Sequence, residues 1–80
     1  MAVVRYYAGA RVAAGVSEEQ VNAADLAVLL ARLRDRHGEP LTRVLTACSF
    51  LVDGEPAHPD RPTELTERAT VDVLPPFAGG

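Results

Sequence analysis

Residues 25–38 read DLAVLLARLRDRHG. Leu26, Leu29, Leu30 and Leu33 fall at i, i+3, i+4 and i+7, which is one apolar stripe at helical period, while Arg32, Asp35 and Arg36 occupy the opposite side. Asp25 stands where an N-cap stands, ready to accept from the free amides of the first turn. Arg34, Arg36 and His37 lie in the last turn, where positive charge complements the carbonyl end of the helix dipole, and Gly38 supplies a left-handed C-cap. The pattern predicts one main helix over Leu26–His37. Everything else in an 80-residue chain must pack against its leucine stripe, because that length supports a single modest core.

Outward from the helix the periodicity changes to two. Residues 2–8, AVVRYYA, predict a strand with Val4, Tyr6 and Ala8 on one face and Val3, Arg5 and Tyr7 on the other. Residues 9–15, GARVAAG, read as a loop or helical turn, and Ser17 to Ala23 as a second strand. Downstream, a connection through Pro40 leads to a buried strand over Ala47–Val52 and a tight turn at Asp53-Gly54. Pro56 limits the returning segment to a short or edge pairing. HPDRPTELTER (58–68) is a polar, proline-rich surface segment in which Thr63–Arg68 is expected to form one helical turn with Leu65 tucked in. The last strand, Thr70–Leu74, sets Val71 and Val73 against Thr70, Asp72 and Leu74. Two N-terminal strands, one long helix and a final strand able to lie beside the first are the layout of an α+β β-grasp fold. It has a mixed sheet of four to five strands with its helix packed on one face. That architecture serves many functions and by itself decides none.

The domain is expected to end at residue 74, with residues 75–80 (PPFAGG) as an extended tail. Pro75 and Pro76 have no amide donor and a fixed φ, so they stop the strand and hold the backbone extended. Six residues reach at most about 20 Å, far enough to put the terminal carboxylate inside another protein. Gly79 and Gly80 lack a Cβ; they thread a narrow channel and leave the last carbonyl open to attack. A glycine terminus is also what a frayed end looks like, but a frayed end has no use for a proline pair and an aromatic. A carboxylate is a poor electrophile and needs activation, for instance as an acyl-adenylate, before sulfur or an amine can take the acyl group.

Composition excludes several classes. Apolar residues are 48% and charged residues 24%, the balance of a globular chain. A net charge of -3 gives no basic footprint for nucleic acid. No apolar run approaches the roughly 20 residues that span a bilayer, and a lone Cys48 forms no internal disulfide, so a reducing cytoplasm is the expected location. All eight basic residues are arginine. Without lysine the chain has no side-chain amine for Schiff-base chemistry or for accepting an isopeptide bond, which excludes self-conjugated side-chain-linked polymers.

With VRYYAGAR (4–11), FLVDGE (50–55) and VDVLPPFAGG (71–80) in place, the sequence resembles the ThiS/MoaD family of ubiquitin-like sulfur carriers over its whole length. Within that family it is most similar to the small subunits of molybdopterin synthases. The resemblance implies that Gly80 is adenylated by a ubiquitin-activating-type adenylyltransferase using ATP and magnesium, and that the adenylate becomes a thiocarboxylate. It further implies that the tail donates sulfur for the dithiolene of molybdopterin inside the large catalytic subunit of a heterotetrameric synthase. Gly79 is then the unhindered neighbour of Gly80; Leu74, Pro75, Pro76, Phe77 and Ala78 match the segment that docks in the partner's channel; and Arg11 matches a partner-facing arginine. Phe77 departs from the commoner small aliphatic residue. The chain itself binds no cofactor in this reading and is not catalytic alone. Alternatives that share the activation chemistry are a carrier for thiazole or cysteine synthesis and a ubiquitin-like protein modifier. Carriers for thiazole usually lack the double proline.

The remaining candidates have plainer readings. Cys48, inside ACSFLV (47–52), is read as core packing rather than a relay thiol. His37 and His58 have no metal-ligand spacing with each other or with Cys48. GARVAAG lacks the Gly-Lys-Ser/Thr ending of a phosphate loop. Tyr6 belongs to the core; Tyr7, on the other side of its strand, is open both to packing and to a role as an exposed aromatic at a partner interface. No nucleophile-base pair suggests a stand-alone enzyme.

Overall fold

The computed structural model describes residues 1–76. The chain runs β1 (Ala2–Tyr6), α1 (Ala8–Ala14), β2 (Glu18–Val21), α2 (Leu26–His37), α3 (Glu39–Leu45), β3 (Ser49–Val52), β4 (Glu55–Ala57) and β5 (Thr70–Leu74). The five strands form one mixed sheet in the order β2-β1-β5-β3-β4. β1 and β5 are parallel neighbours at its centre, with Val4 opposite Val71 and Tyr6 opposite Val73; the other pairs are antiparallel. This is the expected β-grasp arrangement.

The long helix forms where its leucines placed it. Asp25 caps it, its carboxylate accepting from the Val28 amide at 2.8 Å. Leu26, Leu29, Leu30 and Leu33 are completely covered and meet Val4, Tyr6, Val21, Val71, Val73 and Phe50 from the sheet. Each such leucine contributes about 1.5–3 kcal/mol by leaving water. The Asp53-Gly54 turn also forms as expected. Both residues take positive φ, 51° and 84°, which is what a two-residue hairpin requires to match the strand twist. Asp53 then stitches the hairpin to β5: its amide donates to the Thr70 carbonyl and its carboxylate accepts from the Thr70 amide at 2.9 Å.

Three expectations need correction. First, the sheet is flanked by three helices rather than one. GARVAAG belongs to α1, and β1 stops at Tyr6 because Ala8 turns sharply with a φ of 51°. Second, the Pro40 connection is itself the helix α3. Proline suits a first helical turn, where its missing N–H is not needed, and Leu41 and Leu45 one turn apart are both buried. Third, Thr63–Arg68 is not a helical turn. Glu64 forms a bridge with Asp25, and the flanking bonds Leu26 N–H to Thr63 carbonyl and Leu65 N–H to Ala24 carbonyl keep Thr63–Leu65 extended, while Glu67 and Arg68 form a separate turn closed by the Ala69 amide on the Thr66 carbonyl. Leu65 is nevertheless buried, as expected.

Gly38 joins α2 to α3 with φ 76° and ψ -158°, a combination essentially closed to residues with a Cβ. An added Cβ would meet nothing within 4 Å, so the requirement is one of backbone conformation alone. Gly38→Ala is expected to lower stability by about 1–3 kcal/mol without altering the fold, read by urea unfolding.

A polar cluster ties the edge strand β2 to the end of α2. The Glu19 carboxylate accepts from the Tyr6 hydroxyl at 2.6 Å and from Arg36 at 2.6 Å, and lies 2.5 Å from Nε2 of His37. Tyr6 and His37 also meet edge to face. Burial disfavours the charged carboxylate, but the three hydrogen bonds outweigh it and lower its pKa. The Tyr6 hydroxyl is correspondingly harder to ionise, through burial and its bond to Glu19. A carboxylate with a depressed folded pKa stabilises above its unfolded pKa and loses that contribution as pH falls through the folded value. Glu19→Gln should therefore melt below the wild type at pH 7, and the gap in melting temperature should close as the pH is taken below about 4.

Candidate functional site at the root of the tail

The central strand β5 ends at Leu74, which is half-buried, as is Pro75; Pro76 is exposed. Since β5 lies between β1 and β3, the tail leaves from the middle of the sheet rather than from an edge. Ser49 is opposite Leu74 across β3, and the Tyr7 amide donates to the Val73 carbonyl at 3.2 Å. Tyr7 therefore stands beside the tail root. It is 40% exposed, so packing accounts for only part of its surface. Arg11 is exposed one turn into α1, in a shallow surface depression with Val12, Gly15, Val16 and Ser17. Val12 is 83% exposed and Val16 42%. Of the proposed site residues, Tyr7, Leu74, Pro75 and Pro76 thus come together, with Arg11 on the adjoining helix. Phe77, Ala78, Gly79 and Gly80 lie outside the described residues.

The sheet face that no helix covers bears a feature not singled out by sequence pattern. Arg5 and Asp72 are register partners on β1 and β5, and the guanidinium grips the carboxylate with two bonds, Nε–Oδ1 2.7 Å and Nη2–Oδ2 3.2 Å. The hydrogen bond and charge of Asp72 raise the Arg5 pKa further. Leu51 and then Pro56 continue this row across β3 and β4. The pairing was hidden because alternation shows that both residues point outward, whereas only the strand order makes them neighbours.

On the other side of Leu74 an open groove of about 1000 Å³ runs between β3–β4, the 58–63 segment and the ends of α2 and α3. Cys48, Phe50, Arg34, Arg61 and Leu74 are among its lining. Cys48 is partly buried, and burial pushes its thiol pKa up, so it stays protonated and poorly nucleophilic near neutrality. Among the described residues no cluster of three His, Cys, Asp or Glu side chains could hold a metal, and no helix is long and apolar enough to cross a membrane. Cys48 should react with a disulfide reagent at pH 7.4 at least about tenfold more slowly in the folded protein than in guanidinium, measured by release of the chromophoric thiolate.

Residues 4–80 match the model of the ThiS family. The fold is similar to that of small archaeal modifier protein 1 from Methanosarcina acetivorans, at 22% identity and a TM-score of 0.86, covering 99% of this chain and 95% of that one. It is also similar to a putative molybdopterin converting factor subunit 1 from Pyrococcus furiosus, at 26% identity and a TM-score of 0.82, with 95% and 97% covered. A third likeness is to the Amycolatopsis orientalis BexX/CysO complex, at 18% identity and a TM-score of 0.80 over the full length of both chains. No curated protein matches the chain.

Proposed function

Because the chain belongs to the ThiS family, we propose that it is a sulfur carrier whose Gly80 carboxylate is the group that is activated and loaded. The observation that carries this reading is the continuity at the tail root. The central strand runs to Leu74 and straight into Pro75-Pro76, and the family match continues without interruption to Gly80.

The chemistry is dictated by what a carboxylate needs. In an adenylyltransferase of the ubiquitin-activating type, with ATP and magnesium, a Gly80 oxygen attacks the α-phosphorus and pyrophosphate leaves. A sulfur nucleophile then attacks the carbonyl carbon, the C–O bond to AMP breaks, and a thiocarboxylate remains. This chain's share of the work is presentation. Pro75 and Pro76, with their fixed φ, would stiffen the start of the tail, the glycines suit a narrow channel, and Tyr7, Arg11, Leu74, Phe77 and Ala78 would provide the contacts around it. Acid-base groups belong to the partner.

For the acceptor, we propose the pterin precursor of molybdopterin, bound by a large catalytic subunit with which this chain forms a heterotetramer in the cytoplasm. The Pro-Pro-Phe-Ala-Gly-Gly ending and the likeness to the Pyrococcus furiosus protein support this choice. Sulfur transfer toward thiazole or cysteine, and transfer of the acyl group to protein amines, are the competing outcomes.

Intact mass of the protein from its own host, purified without alkylation, tests the loading step. A species heavier by the exchange of one oxygen for sulfur is expected, and it should be absent when Gly80 is deleted. Finding only the free acid after incubation with ATP, the activating enzyme and a sulfur source would refute the reading. The acceptor is tested by adding loaded carrier and candidate large subunit to the pterin precursor, with dithiolene formation as the supporting result. Protein adducts in its place would identify a modifier.

A further inference from the structure

The groove between β3–β4, the 58–63 segment and the ends of α2 and α3 has no part in the proposed carrier chemistry. Its floor is apolar: Leu30, Leu45 and Phe50 are buried, and Cys48 and Ala57 are half-buried beside them. Its rim is charged, and unevenly so. Arg34 and Arg61 stand against a single carboxylate, Asp60, which faces His58 at 3.5 Å. The chain as a whole carries -3, so the groove is a positive place on an acidic protein.

Among the described residues, Arg5, Arg36 and Arg43 are committed to Asp72, Glu19 and Glu39. Arg34 and Arg61 have no carboxylate partner there, and both are exposed. A guanidinium is a planar fork of donors matched to a carboxylate. The rim that carries Arg61 is also stiff. The Arg61 amide donates to the His58 carbonyl at 3.0 Å, the Asp60 amide donates to Nδ1 of His58 at 3.1 Å, and Pro59 and Pro62 fix φ within the same turn. Arg34 stands in the last turn of α2. A rigid turn and a helix end need little reordering when something binds between them.

Shape narrows the occupant. A small ligand is held in a cavity that encloses most of its surface, whereas this groove, of about 1000 Å³, is open along its side and suits a run of chain lying across it. That run cannot join the sheet. β4 is the edge strand on this side, it has three residues, and the middle one, Pro56, has no amide to give. Recognition therefore falls to side chains, apolar ones on the floor and anionic ones at the rim. We propose that the groove docks an acidic segment of a partner protein, with a Leu- or Phe-sized side chain entering against Leu45, Cys48 and Phe50 while flanking carboxylates engage Arg34 and Arg61. This surface is separate from the tail, and the proposal stands or falls independently of the carrier reading.

The test titrates the full chain, isotope-labelled for amide NMR, with a set of octapeptides. Each carries one Leu or Phe flanked by zero to four Asp or Glu, with Gly and Ser elsewhere. Shifts at the Cys48, Phe50, Ala57 and Arg61 amides are expected to report binding that tightens with each added carboxylate and weakens as salt is raised to about 0.5 M. Replacing Asp and Glu by Asn and Gln in the peptide, or combining Arg34→Gln with Arg61→Gln in the protein, should weaken binding at least about tenfold. Arg32→Gln with Arg68→Gln removes the same charge outside the groove and should stay within about twofold of wild type. All four arginines are exposed, so both variants should melt with the wild type.

No shifts with any peptide at millimolar concentration, equal binding of the neutral set, or shifts confined to the outer face of the sheet would overturn the proposal. Binding that emerges only when residues 77–80 are removed would give the groove to the chain's own end, and a dimer that the peptides dissociate would give it to a second copy; either result replaces the partner segment.

Discussion

The parallel pairing of β1 with β5 is the contact on which the rest of the molecule depends. It joins the first strand of the chain to the last, so it closes the fold across its greatest sequence separation. Both faces reinforce it. Toward the helices, Val4 against Val71 and Tyr6 against Val73 form the floor on which the leucines of α2 rest. On the opposite face the forked bond from Arg5 to Asp72 binds the same two strands. A parallel pair needs a long crossover, and here the crossover contains every other element. It also carries the tail: a terminal segment leaving a central strand has a neighbour on each side, which gives the tail a fixed point of departure.

What was legible in the sequence was whatever repeats with a clear period or needs a special backbone. The leucine stripe of α2, the alternation in β1 and β5, and Asp53-Gly54 were readable because each imposes a local constraint that its residues satisfy visibly. The helix α3 was missed because its seven residues offer barely two turns of pattern, and because Pro40 reads as a break although at a helix start it is an opening. The same brevity left α1 readable only as a loop or helical turn, since its alanines give little amphipathic contrast. The error over Thr63–Arg68 had another origin. Its local preference is overridden by bonds to Ala24, Asp25 and Leu26, some forty residues earlier in the chain, and no local pattern records such partners.

The candidate site divides in the same way. The tail announces itself through covalent chemistry, since proline, glycine and a carboxylate have properties that do not depend on a fold. Tyr7 could be placed on the outer side of β1, but its position beside the tail root follows only from the bond of its amide to Val73. The row of Arg5, Asp72, Leu51 and Pro56 is a property of strand order, and strand order is settled by contacts across the whole chain.

One constraint links the core to the proposed chemistry. A carrier with a single reactive end benefits from a chemically quiet surface, and three side chains in the body are held by their surroundings. Burial keeps the Cys48 thiol protonated; Glu19 and burial hold the proton on Tyr6; Asp72 occupies the guanidinium of Arg5. The positive charges are carried by arginine throughout. These arrangements have ordinary structural causes taken singly, since each satisfies a buried or charged group. Among these described groups none offers a ready nucleophile, which suits the proposed reading of the tail as the reacting end. That is the condition under which specificity can be handed to a partner: the partner needs only to recognise the surface around Leu74 and admit the segment beyond it.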